Sequence, residues 1–142
     1  MRVIPFSCEE EYGKNSLSWY RRNAECQVIL GYYTGLSIYK QVLREGVVLY
    51  TNFSKTNVDM HWHIPRCLNR WLLGVIFKYP FTSLGAKRIT GFVNSNNVTV
   101  NKILPKLGFE LEATVKDYYN LSEDMLIYKI TKDNETLKKW IR

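Results

Sequence analysis

The chain is 142 residues long, 46% hydrophobic and 14% aromatic, with a formal net charge of +7 at neutral pH. This length suits one domain with a sizeable core, and the apolar content excludes a disordered chain. No stretch approaches the roughly 18–20 apolar residues of a membrane span, and no basic segment leading into an apolar one marks a secretory signal.

Arg2 to Phe6 reads as a short strand. Ser7 is a candidate N-cap, with Glu9, Glu10 and Glu11 in a first helical turn where carboxylates complement the helix dipole. Gly13 is expected to break that helix, and Asn15 or Ser16 to restart it through Leu17, Trp19 and Tyr20. Cys26 to Tyr33 is rich in β formers, and Leu36 to Val42 reads equally as strand or as a turn of helix. Gly46 to Phe53 and Val58 to Ile64 are predicted strands joined by the polar loop Ser54-Lys55-Thr56-Asn57. Pro65 stops the second. Asn69 is the expected cap of a helix from Arg70 to about Thr82, in which Leu72, Leu73, Ile76 and Phe77 share one face; Gly85 ends it. A strand at Arg88–Val93, a helix at Val98–Lys106 with Pro105 near its end, and a strand at Phe109–Lys116 follow. Tyr118 to Asp124 reads as a polar loop, Met125 to Thr131 as a closing strand and Asn134 to Ile141 as a short terminal helix. Strands mixed with crossover helices predict a single α/β domain over 1–142 with a mixed sheet.

The charge is uneven. Residues 65–142 hold 13 Lys and Arg against 7 Asp and Glu, whereas residues 1–64 hold 7 against 6. A basic half suits an anionic partner, either coenzyme A or nucleic acid, and is equally compatible with an ordinary soluble surface. Cys8, Cys26 and Cys67 are widely spaced, and with two histidines they make no metal-ligand pattern. Reduced thiols in a cytoplasmic protein, and no metal, are expected. Asp59, His61 and His63 alternate along their strand, so they share one face while Met60, Trp62 and Ile64 share the other. An imidazole titrates near neutrality, which suits proton removal from an ammonium; a buried, satisfied histidine is the plainer alternative. Tyr118 and Tyr119 either shape a pocket or simply pack.

The stretch Gly85 to Phe109 joins a β-branched strand, the cluster Asn94-Ser95-Asn96-Asn97, an amphipathic helix and Leu107-Gly108-Phe109. With Lys87-Arg88-Ile89 opening its strand, it resembles the C-terminal half of the GCN5-related N-acetyltransferase (GNAT) superfamily. The resemblance runs from about Val47 to Lys132. Glu112 and Lys116-Asp117-Tyr118 resemble the ribosomal-protein-acetyltransferase branch. The Phe-x-Tyr-Pro-Phe run before Arg88 is similar to acetyltransferase-like proteins carried by bacteriophages, for which the host cytoplasm is the expected location. The resemblance implies a single-domain GNAT-like (acyl-CoA N-acyltransferase) fold with a mixed, mostly antiparallel sheet flanked by helices. It implies acetyl-CoA or another acyl-CoA as cofactor and an amine as acceptor. It implies His61, His63 or Asp59 as the candidate base. It also implies a pyrophosphate loop at Arg66, Cys67, Leu68, Asn69 and Arg70, together with Asn97, as the cofactor-binding set. The chain departs from the family pattern in three respects. The loop's two glycines are absent, Leu104 stands where many members carry a tyrosine acid, and Val100 replaces a small residue. Arg66 and Arg70 supply charge beside a helix N-terminus that still favours phosphate. Two competing readings follow from these departures and from the basic half: a non-catalytic interaction module that retains the fold, and a relative that modifies or binds nucleic acid.

Overall fold

The computed structural model describes residues 1–24, 29, 31–66 and 68–141. Seven strands form one sheet: β1 (Arg2–Ser7), β2 (Tyr33–Lys40), β3 (Leu43–Thr51), β4 (Asn57–His63), β5 (Arg88–Asn94), β6 (Glu110–Asn120) and β7 (Glu123–Thr131). Among the described residues four helices flank it: α1 (Glu11–Asn23), α2 (Arg70–Thr82), α3 (Val98–Leu107) and α4 (Glu135–Trp140). The strand order is β1-β2-β3-β4-β5-β7-β6. The pairing is antiparallel except between β4 and β5, which α2 connects as a crossover. This is the expected mixed, mostly antiparallel sheet in a single α/β domain.

Alternation along the central strands divides the core in two. On one face, Val47 and Leu49 of β3 pack with Phe6, Tyr33, and Leu17 and Tyr20 of α1. On the other, Val48 and Tyr50 pack with Leu72, Ile76 and Phe77 of α2 and with Leu104 and Leu107 of α3. Full burial of each such side chain stabilises the fold by about 1.5–3 kcal/mol. The Tyr50 hydroxyl, buried in this second layer, donates to the Ile76 carbonyl at 2.5 Å and ties β3 to α2.

The helix ends behave largely as the sequence indicates. The Asn69 side chain accepts from the Leu72 N–H at 2.9 Å, and that of Asn97 accepts from the Val100 N–H at 3.2 Å. Gly108 closes α3 at φ 107°, a left-handed conformation. Two expectations at the N-terminus require correction. Glu10, not Ser7, holds the cap position of α1; Ser7 instead donates through its N–H and Oγ to Glu10 Oε1, each at 3.2 Å. Gly13 does not break α1. It lies inside the helix because a Cβ there would overlap the Ser7 carbonyl oxygen, so the close approach of α1 to the end of β1 requires glycine.

The ambiguous stretch Leu36–Val42 resolves into strand β2 up to Lys40, then a turn at Gln41 with φ 58°. The expected polar loop at Tyr118–Asp124 is also corrected. Tyr118 and Tyr119 belong to β6, and the turn to β7 is confined to Leu121 and Ser122. β6 pairs only with β7 and is exposed along nearly its whole length, so its composition is that of a loop. Among the described residues no helix is long and apolar enough to cross a membrane, and no His, Cys, Asp and Glu side chains gather as a metal site.

Candidate active-site cleft

The parallel ladder between β4 and β5 is short. It runs from Asn57 opposite Arg88 to Met60 opposite Gly91 and stops there, while β4 continues to His63 and β5 to Asn94. Beyond that point, among the described residues, β5 pairs only with β7. A cleft of about 1070 Å³ occupies the gap and receives side chains from both faces of the sheet. From the α2/α3 face come Met60, Trp62, Phe77, Val100, Leu104 and Phe109; from the α1 face come Tyr20, Thr51, Asp59, His61, His63 and Phe92. Gly91 adds space, since a Cβ there would meet nothing within 4 Å.

His61 is the first β4 residue past the ladder. Its ring stacks on Phe92, 5.7 Å between centroids and 10° between planes, and its Nε2 lies 3.2 Å from Thr51 Oγ1. Burial pushes its pKa below the ordinary value of 6.5, and the nearby Asp59 charge offsets part of that shift. His63 lies two residues further along the same face, half-buried, with its ring 6.0 Å from that of Trp19 in α1. Burial lowers its pKa too. Both imidazoles are therefore held toward the neutral form, the form that accepts a proton. Trp62, between them, turns to the opposite face and packs at 5.6 Å on Phe77.

Asp59 lines the same cleft, with both oxygens hydrogen-bonded. Its Oδ2 accepts from Asn52 Nδ2 at 3.0 Å and its Oδ1 from Asn57 Nδ2 at 2.9 Å. Asn57 Oδ1 accepts in turn from the Thr90 hydroxyl at 2.6 Å and from Arg88 Nε at 3.2 Å. Arg88 pairs with Glu112 at 2.9 Å, and that bond holds the Glu112 carboxyl below the ordinary carboxylate range. Arg88 and Glu112, two residues of the motif, thus belong to one polar network that fastens β4 to β5 where they still pair.

The cofactor-side candidates fall in two places. Asn97 caps α3 and lines the cleft. Arg66, Leu68, Asn69 and Arg70 stand at the N-terminus of α2 and are not among the lining residues; Cys67 lies outside the described residues. Arg66 is exposed, Leu68 packs against the core, and the Arg70 guanidinium lies over the Trp140 ring, 4.8 Å from its centroid. The first turn of α2 carries no carboxylate. An exposed Arg66 and an unopposed helix dipole fit an anionic group there, even without glycines.

Several lining residues carry no sequence signal that singles them out. Tyr20 reads as an ordinary apolar position of α1, Phe92 as a core residue of β5, and Glu123 as part of a polar loop. They meet only because the sheet opens.

No family model matches the sequence, and none of the curated proteins does. Solved structures do match. A chimera of Vibrio cholerae spermidine N-acetyltransferase SpeG and hSSAT superposes with a TM-score of 0.72 at 13% identity, covering 98% of this chain and 99% of that one. A GNAT-family protein from Desulfovibrio desulfuricans gives 0.65 at 12% identity, covering 92% and 99%. RimJ of Mycobacterium smegmatis, in complex with CoA-disulfide, gives 0.60 at 18% identity over 72% of this chain. The chain spans 55% of the length of that RimJ and 64% of another matching acetyltransferase. The chain has the fold of the GNAT acetyltransferases.

Proposed function

We propose that the protein is an acyl-CoA-dependent N-acyltransferase, with acetyl-CoA as donor and an amine as acceptor. The observation that carries this reading is the interrupted β4–β5 ladder, which leaves a cleft open to both faces of the sheet. One substrate can enter from the α2/α3 side and the other from the α1 side, so the reacting atoms meet in the gap.

An acyl thioester supplies the activated carbonyl. The acceptor nitrogen first loses one proton from its ammonium form. Its lone pair then forms the bond to the carbonyl carbon, the carbon–sulfur bond breaks, and the sulfur leaves as thiolate and takes up a proton. The products are an amide and a free thiol. His61 or His63 accepts the first proton, directly or through a water, because each imidazole is held neutral and faces the cleft. Leu104 cannot protonate the leaving sulfur; the second proton that the attacking nitrogen sheds as the amide forms passes to the sulfur, directly or by exchange through solvent. Most of the rate enhancement then rests on positioning. The α2 N-terminus, with Arg66 and Arg70, and Asn97 hold the cofactor.

The likeness at Glu112 and Lys116-Asp117-Tyr118 supports the ribosomal-protein-acetyltransferase-like branch, and that before Arg88 supports a bacteriophage source and the host cytoplasm. The test is thiol release from acetyl-CoA over a panel of primary amines. Acyl transfer to at least one amine, with the amide found by mass spectrometry, supports the reading. No transfer to any amine, together with no acetyl-CoA binding, overturns it.

A further inference from the structure

The cleft differs in charge from the chain that builds it. The sequence holds 20 Lys and Arg against 13 Asp and Glu. Among the described residues, however, no Lys or Arg lines the cleft, whereas Asp59 and Glu123 do. Asp59 has both oxygens engaged by asparagine amides. Glu123 differs: its Oε1 accepts from Asn96 Nδ2 at 2.7 Å, and among the described residues its other oxygen has no partner.

Two aromatic rings line the same cleft as this carboxylate. Tyr118 and Tyr119 are sequence neighbours, yet both line the cleft. In a regular strand they would point to opposite faces. The β6–β7 register slips between Val115 and Asn120, and Asp117 takes φ 53°. The tip is fastened there. Ser122 N–H donates to Asp117 Oδ1 at 2.8 Å, Asp117 N–H to Asp124 Oδ1 at 3.0 Å, and Asp124 N–H to Ser95 Oγ at 2.9 Å. The tyrosine rings meet edge to face, 5.0 Å apart, and Tyr118 is 58% exposed. A cleft that holds a carboxylate with an open oxygen, an exposed tyrosine ring and, among the described residues, no Lys or Arg suits an ammonium group.

Glu123 lies two residues before Met125, which pairs with the last residue of β5, whereas His61 and His63 lie on β4. The cleft therefore meets an acceptor at two points. We propose that the acceptor carries a second positive charge besides its reacting amine, and that Glu123 with Tyr118 and Tyr119 binds that charge at the mouth of the cleft. The same arrangement disfavours acceptors bearing phosphates or carboxylates, nucleic acid among them. This inference rests on the acyltransferase reading and names the substrate class for it.

Three amines with a common four-carbon span separate the effects of far-end charge: butane-1,4-diamine, butylamine and 4-aminobutyrate, whose far ends are positive, neutral and negative. Each is supplied with acetyl-CoA to the full chain, and kcat/KM is read from thiol release. The diamine should exceed butylamine by about tenfold, as expected of one added ionic and π contact, and 4-aminobutyrate should be poorest. Glu123→Gln should reduce the diamine-over-butylamine preference at least about fivefold, through KM rather than kcat. Equal use of the three amines, or a preference untouched in Glu123→Gln, overturns the inference while leaving acyl transfer intact. If no amine is acetylated, direct binding of the diamine and of 4-aminobutyrate, followed by tryptophan fluorescence, still decides it, and equal binding overturns it.

Discussion

The His61 ring stacks on that of Phe92, 5.7 Å away, one residue past the point where β4 and β5 cease to pair. The stack fixes the imidazole at the edge of the cleft and removes much of its contact with water. An imidazole so placed is held neutral, with one ring face covered and Nε2 next to Thr51.

This geometry sets the pH dependence of turnover. The base must be neutral to act, and burial lowers the pKa of both His61 and His63 below 6.5. Activity should therefore be fully developed at neutral pH and fall only along an acidic limb below 6.5. Replacing the working histidine by Gln should cost about 10²–10⁴-fold in kcat and remove that limb, with cofactor affinity retained. Full turnover in both single variants and in the double variant would exclude the histidines.

Burial of His61 also links stability to pH. Its folded-state pKa lies below its unfolded value, so the unfolded chain binds a proton first as the pH falls. Stability should be level well above the unfolded pKa of 6.5, where both states are neutral, and decline as the pH falls through that value. Urea melts of the wild type and of His61→Phe between about pH 5 and 8 measure this. The variant should show a shallower decline on the acid side; parallel curves would mean that His61 is not buried in the manner described.

Asp59, the third candidate base, also holds the sheet together. It accepts from two asparagine amides in the network that joins β4 to β5. Asp59→Ala should destabilise the fold by about 1.5–3 kcal/mol, because it removes the charged acceptor of the Asn52 and Asn57 amides. Chemical denaturation checks this, and a stability change under about 0.5 kcal/mol, the usual range for a surface substitution, would contradict it.

Much of the architecture is legible in the sequence because local and tertiary signals agree. Asn69, Asn97 and Gly108 mark helix ends through their own chemistry, so the sequence bounds α2 and α3 closely. The failures have a common cause in interactions between distant segments. Gly13 looks like a breaker because nothing local reports the Ser7 carbonyl against which it packs. Leu36–Val42 is ambiguous because a strand buried on both faces shows no alternation. Tyr118 and Tyr119 look like loop residues because β6 is exposed and polar. In the site, the shared face of Asp59, His61 and His63 follows from alternation alone. That Asp59 is tied into a network, and that Glu123 reaches the cleft from another strand, depends on the register of β4, β5 and β7.

Gly91 offers a direct probe of the cleft. It closes the β4–β5 ladder opposite Met60, and a side chain there would enter open space. Gly91→Leu should leave the melting temperature nearly unchanged while blocking the gap, weakening acetyl-CoA binding by at least about tenfold, or 1.4 kcal/mol. Differential scanning fluorimetry and a binding titration together read the two effects. Unchanged affinity in a folded variant would mean that the cofactor does not use this space.

Binding of an acyl-CoA by this cleft and the α2 N-terminus underlies every step proposed for the reaction. Calorimetric titration of the full chain with acetyl-CoA measures it. Saturable one-to-one binding is expected. The Arg66→Ala, Arg70→Ala double variant should bind more weakly, by about 1.5–3 kcal/mol for each charge-assisted hydrogen bond removed. Absence of binding at millimolar acetyl-CoA, or an affinity identical in wild type and double variant, would contradict this placement of the cofactor.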